Sequence, residues 1–160
     1  MKKGIIALAI IVSAFSNTFS QNIDTVEGRD MIFDNEDLFT EEQENELAQI
    51  VDQYQKQWGD REIIVVTVKD LSPFNNFTDY ARDLAANWQY VRPDDTNSMI
   101  IVISKKLGNV RISSGQGTTA LLENQQCHGI INYNMMPYLK QGKFFDATKT
   151  AVTVLAKNWK

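Results

Sequence analysis

The residues with the clearest capacity for chemistry lie in one polar turn. Asp94, Asp95 and Asn97 bring three oxygen-bearing side chains into a stretch of four residues. Calcium prefers six to eight oxygen ligands in a flexible geometry, and the backbone carbonyls of a turn can complete such a set. The spacing therefore indicates a calcium site, with magnesium as the alternative cation. A solvated turn, whose Asp side chains accept hydrogen bonds from nearby amides, is the competing interpretation.

A second group of residues could bind an anion. Gly115 and Gly117 lack a Cβ, so the backbone between them could approach a negatively charged ligand closely. Arg111 could hold a phosphate or a carboxylate with two hydrogen bonds. A tight turn needs the two glycines equally, and a charge on an edge strand is commonly paired at the surface. Both interpretations remain open for these three residues.

The single cysteine and the single histidine narrow the possible chemistry. Cys127 and His128 are adjacent in sequence, and neighbouring side chains on a helix or a strand point in different directions. A hydrogen-bonded catalytic pair is therefore not expected, and Cys127 is predicted to be a small buried apolar residue. With one His, zinc sites that require two imidazoles are excluded. An internal disulfide is excluded as well.

The amino terminus has the pattern of an export signal. Lys2 and Lys3 precede an apolar run over residues 5–15, which is shorter than the roughly 20 residues that span a bilayer. We therefore predict a signal peptide over residues 1–20, a tail over 21–30 and one domain over 31–160. The mature chain is expected to be a monomer without a transmembrane segment, in the periplasm or secreted.

The charge balance favours a cation over a nucleic acid as partner. The chain has 16 basic and 20 acidic residues, and removal of Lys2 and Lys3 leaves 14 basic residues and a net charge of −6. No basic run exceeds two residues, so the electrostatic surface that binds a phosphate backbone is absent from the sequence. We therefore expect the ligand to be a divalent cation.

Apolar periodicity predicts the elements that must position these residues. Residues 62–68 and 99–103 are nearly continuous apolar runs, typical of strands buried on both faces, whereas 110–113 alternates as an edge strand does. Amphipathic spacing indicates helices, and a Thr40–Gln43 capping box marks the first. The predicted helices cover residues 41–58, 77–88, 130–135 and 144–156.

The order of these elements predicts which loops meet. The first two strands and the helix between them form a right-handed parallel crossover, and the hairpin makes the third strand antiparallel. The starts of strands one and two and the end of strand three then lie at one end of the sheet. Asp60 lies at this end too, as a further candidate ligand or a solvated turn residue.

Together these residues resemble the TPM domain over about residues 30–157. The matching pieces are Asp34 with 38–42, Gly59 with 62–68, Tyr80-Ala81 with Leu84 and Trp88, Asn97-Ser98, Arg111-Ile112 with Gly115 and Gly117, and Pro137, Gly142 and Phe145. The resemblance implies an α/β fold, a single-domain three-layer α-β-α sandwich with a small mixed, mainly parallel sheet. It also implies Asp34 as a candidate metal ligand, against a turn or helix-approach role.

The resemblance also carries functional expectations. Members are exported or membrane-tethered bacterial proteins, or thylakoid-lumen proteins of photosystem II repair; some bind calcium and some are acid phosphatases. This sequence departs from the common pattern, because Thr118 and Thr119 follow Gly117 where relatives have an acidic residue. We therefore expect a calcium-binding interaction or protein-maintenance module acting with a membrane or envelope protein. A weak metal-dependent phosphatase and a structural domain without a metal site are the alternatives.

Overall fold

The computed structural model describes residues 31–58, 61–91, 97–115 and 124–159. Four strands lie within these ranges: β1 (Ile32–Asp34), β2 (Glu62–Thr67), β3 (Ser98–Ser104) and β4 (Asn109–Ser114). The α-helices are α1 (Glu41–Trp58), α2 (Phe77–Val91), α3 (Asn124–Gly129), α4 (Met136–Leu139) and α5 (Phe144–Asn158), with a π-helix at Ile130–Met135 between α3 and α4. The predicted signal peptide and tail lie outside the described residues.

The sheet has the order β1-β2-β3-β4. β1 and β3 are parallel to β2, whereas β4 is antiparallel to β3, so the sheet is mixed and mainly parallel. Every residue of β2 and β3 is buried. Because side chains alternate between the two faces of a strand, complete burial means that helices cover both faces. The predicted three-layer α-β-α sandwich is confirmed.

The first helix begins as its sequence predicts. The Gln43 amide donates to Thr40 Oγ1 at 3.3 Å, and the Thr40 amide donates to Gln43 Oε1 at 3.1 Å. This reciprocal capping box satisfies two amides that a helix start would otherwise leave without an acceptor. Leu47 and Val51, one turn apart on α1, are buried at 0% and 1% exposure, so this face belongs to the core.

β1 is an addition to the predicted sheet. The predicted strands begin at residue 62, and the structure shows that residues 32–34 pair with Val65, Val66 and Thr67 of β2. The Val65 amide also donates to the Met31 carbonyl at 2.8 Å. A strand of three residues cannot show a reliable period of two, so the sequence alone did not reveal it.

A short connection that contains Gly142 separates the last two helices. Gly142 has φ = 72°, a left-handed conformation that favours glycine, and it separates α4 from α5. The buried face of α5 includes Ala151, Val152 and Leu155, each at 0% exposure. The predicted segment over 130–135 is a π-helix that joins α3 to α4 without interruption.

No helix within the four described ranges combines the length and the apolar character that a bilayer crossing requires.

Candidate functional site

The starts of β2 and β3 and the end of β4 meet at one end of the sheet, called here the amino end. The Glu62 amide donates to the Asn97 carbonyl at 2.9 Å, and the Gly115 amide donates to the Ser98 carbonyl at 2.8 Å. Glu62 pairs with Ser98 in the parallel register. The predicted convergence of these three chain segments is therefore confirmed.

Glu62 is a carboxyl group at the amino end that sequence reasoning did not select. It is 1% exposed, and its Oε1 accepts a hydrogen bond from Gln55 Nε2 at 3.0 Å. Because it is the first residue of an apolar strand, the sequence pattern indicates only that a strand begins at Glu62. The signal that could have identified it is the single acidic residue directly before six apolar or β-branched residues, because burial of such a group requires hydrogen-bond partners.

A basic side chain also lies at the amino end. Arg61 precedes Glu62, and its Nη1 donates to the Trp159 carbonyl at 2.6 Å. The guanidinium carbon lies 5.7 Å from the centroid of the Trp159 ring, a cation–π arrangement. Arg61 therefore fastens the end of α5 to the start of β2.

The structure separates Asp34 from the other predicted ligands. Asp34 pairs with Thr67 at the end of β2, whereas Asn97 is bonded to Glu62 at its start. Five residues of strand span about 16 Å, so Asp34 lies at the opposite end of the sheet, called here the carboxyl end. Asp34 and Asn97 are therefore separated by the length of β2, and the geometry gives no support for a cation shared by the two.

The Asp34 carboxylate accepts hydrogen bonds from two nearby residues. Oδ1 accepts a hydrogen bond from the Thr67 hydroxyl at 2.5 Å, and Oδ2 accepts one from the Phe39 amide at 2.8 Å. These bonds tie β1 to β2 and set the approach of the chain to α1. The turn and helix-approach role, which was the alternative for this residue, is the one that the geometry supports.

Glu36 adds a second carboxylate anchor at the carboxyl end. Its Oε2 accepts the Lys105 amide at 2.7 Å, and its Oε1 accepts the Lys106 amide at 3.1 Å. The carboxylate thereby holds the β3–β4 turn through backbone amides rather than through lysine charges. Sequence reasoning did not assign this role, because a contact between residues about 70 positions apart leaves no local signal.

Of the predicted anion-binding residues, Gly115 and Arg111 lie in different environments. The Gly115 amide is used in pairing with Ser98, so it does not point towards a ligand. Arg111 pairs with Val102, four residues before Gly115 on β4, and its Nη1 donates to Thr78 Oγ1 at 3.4 Å. Gly117 lies outside the described residues. Arg111 therefore belongs to a separate environment between β4 and the start of α2.

Three of the predicted metal ligands cannot be placed. Asp60, Asp94 and Asp95 lie outside the described residues, which include Asn97 and Asp34 of the predicted set. Within the ranges that the structure covers, no group of three or more His, Cys, Asp or Glu side chains could hold a metal ion. The cation site thus remains a prediction that depends on the two loops flanking Glu62 and Asn97.

Cys127 has the predicted character of a buried apolar residue. It is 6% exposed in α3, and burial raises the pKa of its thiol. The positive charge of Arg111 acts in the opposite direction and lowers this pKa, but burial is the larger effect. The thiol is therefore protonated at neutral pH, which does not suit a nucleophile.

The architecture of the described residues places the protein in a structural class. It is an α/β sandwich in which a parallel crossover and a hairpin bring three loops to one end of a four-stranded sheet. The model of the TPM domain matches residues 32–158, which is most of the chain. The protein therefore belongs to the TPM domain family.

Solved structures share this fold. The N-terminal domain of a protein from P. gingivalis, solved by solution NMR, is 19% identical, with a TM-score of 0.72 and coverage of 85% of each chain. The N-terminal domain of the cg2496 protein from Corynebacterium glutamicum is 12% identical, with a TM-score of 0.59 and coverage of 82% of this chain and 81% of that one. The BA42 protein of the psychrophilic bacterium Bizionia argentinensis is 21% identical, with a TM-score of 0.59 and coverage of 79% and 88%.

At these identities the likeness establishes the fold alone. Among curated proteins, none matches the chain.

Proposed function

We propose that this TPM-domain protein is an exported module that binds a divalent cation, calcium, at the amino end of its sheet. The bound ion would serve an interaction or protein-maintenance role with a membrane or envelope protein. The observation that carries the proposal is the 2.9 Å hydrogen bond between the Glu62 amide and the Asn97 carbonyl. It joins the two chain segments that contain the acidic candidates.

Chain connectivity supports this choice of ligands. Asp95 is two residues from Asn97, and Asp60 is two residues from Glu62. Two residues of chain span at most about 7.6 Å, so both acids belong to segments that enter the sheet side by side. Asp94, Asp95, Asp60 and the Asn97 side chain would supply oxygen ligands, and turn carbonyls would supply more.

Local charge supports a cation as the ligand. Asp60, Asp94 and Asp95 carry three negative charges near Arg61 and Arg92 in the same two loops. Arg61 is engaged by the Trp159 carbonyl and ring, so its charge is held at the end of α5. The net charge of −6 expected after removal of the signal peptide also favours cation association.

Titration calorimetry with calcium tests the site directly. We expect wild-type protein to give a saturable heat and the Asp94→Asn/Asp95→Asn variant to lose it. The matched control is Asp52→Asn/Asp146→Asn, which removes two carboxylates from helices α1 and α5 and should bind calcium as wild type does. A parallel titration with magnesium identifies the preferred cation.

The two alternatives give different results in the same variants. A slow metal-dependent phosphatase would hydrolyse p-nitrophenyl phosphate with calcium or magnesium present, and the Asp94→Asn/Asp95→Asn variant would lose this activity. A structural domain without a metal site would give the same negligible heat in all three proteins. That second result would overturn the proposal.

A further inference from the structure

Arg111 is a half-buried cation without an acidic partner in the parts of the chain that the structure covers. Its Nη1 donates to the Thr78 hydroxyl at 3.4 Å, and its buried Nε has no hydrogen-bond partner within those same ranges. The ion pairs formed by described residues join other basic groups to their carboxylates: Lys56 to Asp52, Lys69 to Asp37, Arg82 to Asp79 and Lys149 to Glu46. The surface ion pair that was the alternative for Arg111 is not among them.

The carboxylate nearest in sequence to Thr78 is already engaged. Asp79 accepts hydrogen bonds from Asn76 Nδ2 at 2.6 Å and from Arg82 at 2.7 Å. The Asp79 amide in turn donates to Asn76 Oδ1 at 2.8 Å, so the first turn of α2 is capped by its own side chains. These contacts account for Asp79 without involving Arg111.

An unpaired guanidinium that is partly withdrawn from water is energetically unfavourable. Burial removes hydration from a charge, and a counter-ion or hydrogen-bond acceptors normally restore the lost interactions. The Nε and a terminal nitrogen of arginine form a planar fork that matches two oxygens of a carboxylate or a phosphate. At Arg111 the Nε donor is unused within the described part of the chain, and the Thr78 hydroxyl, which accepts from Nη1 at 3.4 Å, lies at the same guanidinium group.

We propose that Arg111 and Thr78 bind an oxyanion, the carboxylate or phosphate group of a small ligand, between β4 and the start of α2. This site goes beyond the proposed cation site and does not depend on it. Arg111 is four strand residues from Gly115, which is about 13 Å along β4. The two sites therefore involve different elements and can be tested independently.

The pKa of the Cys127 thiol can report the binding of an anion at Arg111. It is the only cysteine in the chain, so the Cβ carbon resonance of a cysteine-labelled sample follows the titration of one thiol. The charge of Arg111 lowers the pKa of Cys127, so an anion bound to Arg111 should raise that pKa by cancelling the charge. The Nε proton of Arg111, observed by two-dimensional NMR, reports binding at neutral pH.

The experiment titrates the folded protein with inorganic phosphate and, separately, with acetate, using sodium chloride of equal ionic strength as reference. We expect at least one anion to raise the pKa of Cys127 and to shift the Arg111 Nε–H resonance more than chloride does. A response to phosphate alone identifies a phosphate group, and a response to acetate alone identifies a carboxylate. Either result supports the site.

Variants distinguish binding at Arg111 from general screening. Arg111→Gln should weaken binding at least about tenfold, as loss of charge-assisted hydrogen bonds predicts, whereas Arg82→Gln removes an exposed guanidinium from α2 and should bind as wild type does. If Arg111→Gln does not fold, Thr78→Val at an exposed position serves in its place and should weaken binding as well. Responses no larger than those to chloride, or equal responses in wild type and the folded binding-site variant, would overturn the proposal.

Discussion

At the scale of single residues, polar groups inside this protein fasten elements together. Thr67 is 0% exposed, and its hydroxyl donates to Asp34 while accepting the Glu36 amide at 2.9 Å. Its carbonyl accepts Asn35 Nδ2 at 2.9 Å. One buried hydroxyl and one carbonyl thus hold the segment after β1, and the Asp34 carboxylate takes part in this attachment.

Burial of two weak acids predicts a loss of stability at alkaline pH. Burial raises the pKa of Cys127 and of Tyr80, and Asp70 raises that of Tyr80 further. The unfolded chain releases these protons first, near the ordinary values of 9.0 and 10.0. Their contribution to stability is therefore complete below those values and is lost as pH rises through them. Urea unfolding at about pH 7 and about pH 10 should show this decrease.

Matched variants identify the groups responsible for this pH dependence. Tyr80→Phe and Cys127→Ala should each make the decrease shallower, since each removes one proton linkage. Tyr133→Phe changes a tyrosine that is 82% exposed and should leave the decrease as it is in wild type. An unchanged decrease in both buried-site variants would contradict the assignment.

At the scale of elements, two glycines near the chain end should respond oppositely to alanine. Gly142 has φ = 72°, so Gly142→Ala should destabilise the protein by about 1–2 kcal/mol through backbone strain. Gly129 ends α3 with φ = −60° and ψ = −45°, so Gly129→Ala should stabilise it by about 0.5–1 kcal/mol. A Cβ at either position meets no atom within 4 Å, which leaves backbone conformation as the only difference.

Denaturant unfolding of the two variants measures this contrast. The linear dependence of the free energy of unfolding on urea gives each change relative to wild type. Equal effects of the two substitutions would show that the left-handed turn at Gly142 does not determine the stability of the α4–α5 connection.

The sequence predicted long elements well and short or unusual ones poorly. Continuous apolar runs identified β2 and β3, because burial on both faces leaves a pattern that few other structures produce. β1 has three residues, too few to show a period, and the π-helix at 130–135 has the same apolar content as an α-helix. Glu62 was not selected as a site residue, because the apolar pattern of its neighbours predicts a strand. That pattern does not predict which group binds the Glu62 carboxylate.

At the scale of the whole molecule, the two ends of the sheet differ in the hydrogen bonds that their polar groups form. At the carboxyl end, the carboxylates of Asp34 and Glu36 accept hydrogen bonds from backbone amides and from the Thr67 hydroxyl. These bonds fix β1 and the β3–β4 turn. At the amino end, the chain order brings Asn97 and Glu62 together across neighbouring strands. The meeting of these segments could be predicted, because chain direction alone determines it. The contacts of Asp34 could not, since its partner Thr67 is distant in sequence.

The separation of the proposed sites predicts how ligands change thermal stability. A ligand that binds only the folded state stabilises it by about 2.7 kcal/mol at one hundred times its Kd, which raises Tm by roughly 10 °C for a domain of this size. Calcium at that concentration should therefore raise the Tm of wild type and of Arg111→Gln alike, and a chelator should reverse the change. Asp94→Asn/Asp95→Asn should show no increase, because it lacks the carboxylates that bind the ion. An equal increase in this variant, followed by differential scanning calorimetry, would place calcium away from the amino end, whereas its loss in Arg111→Gln would show that the two sites are coupled.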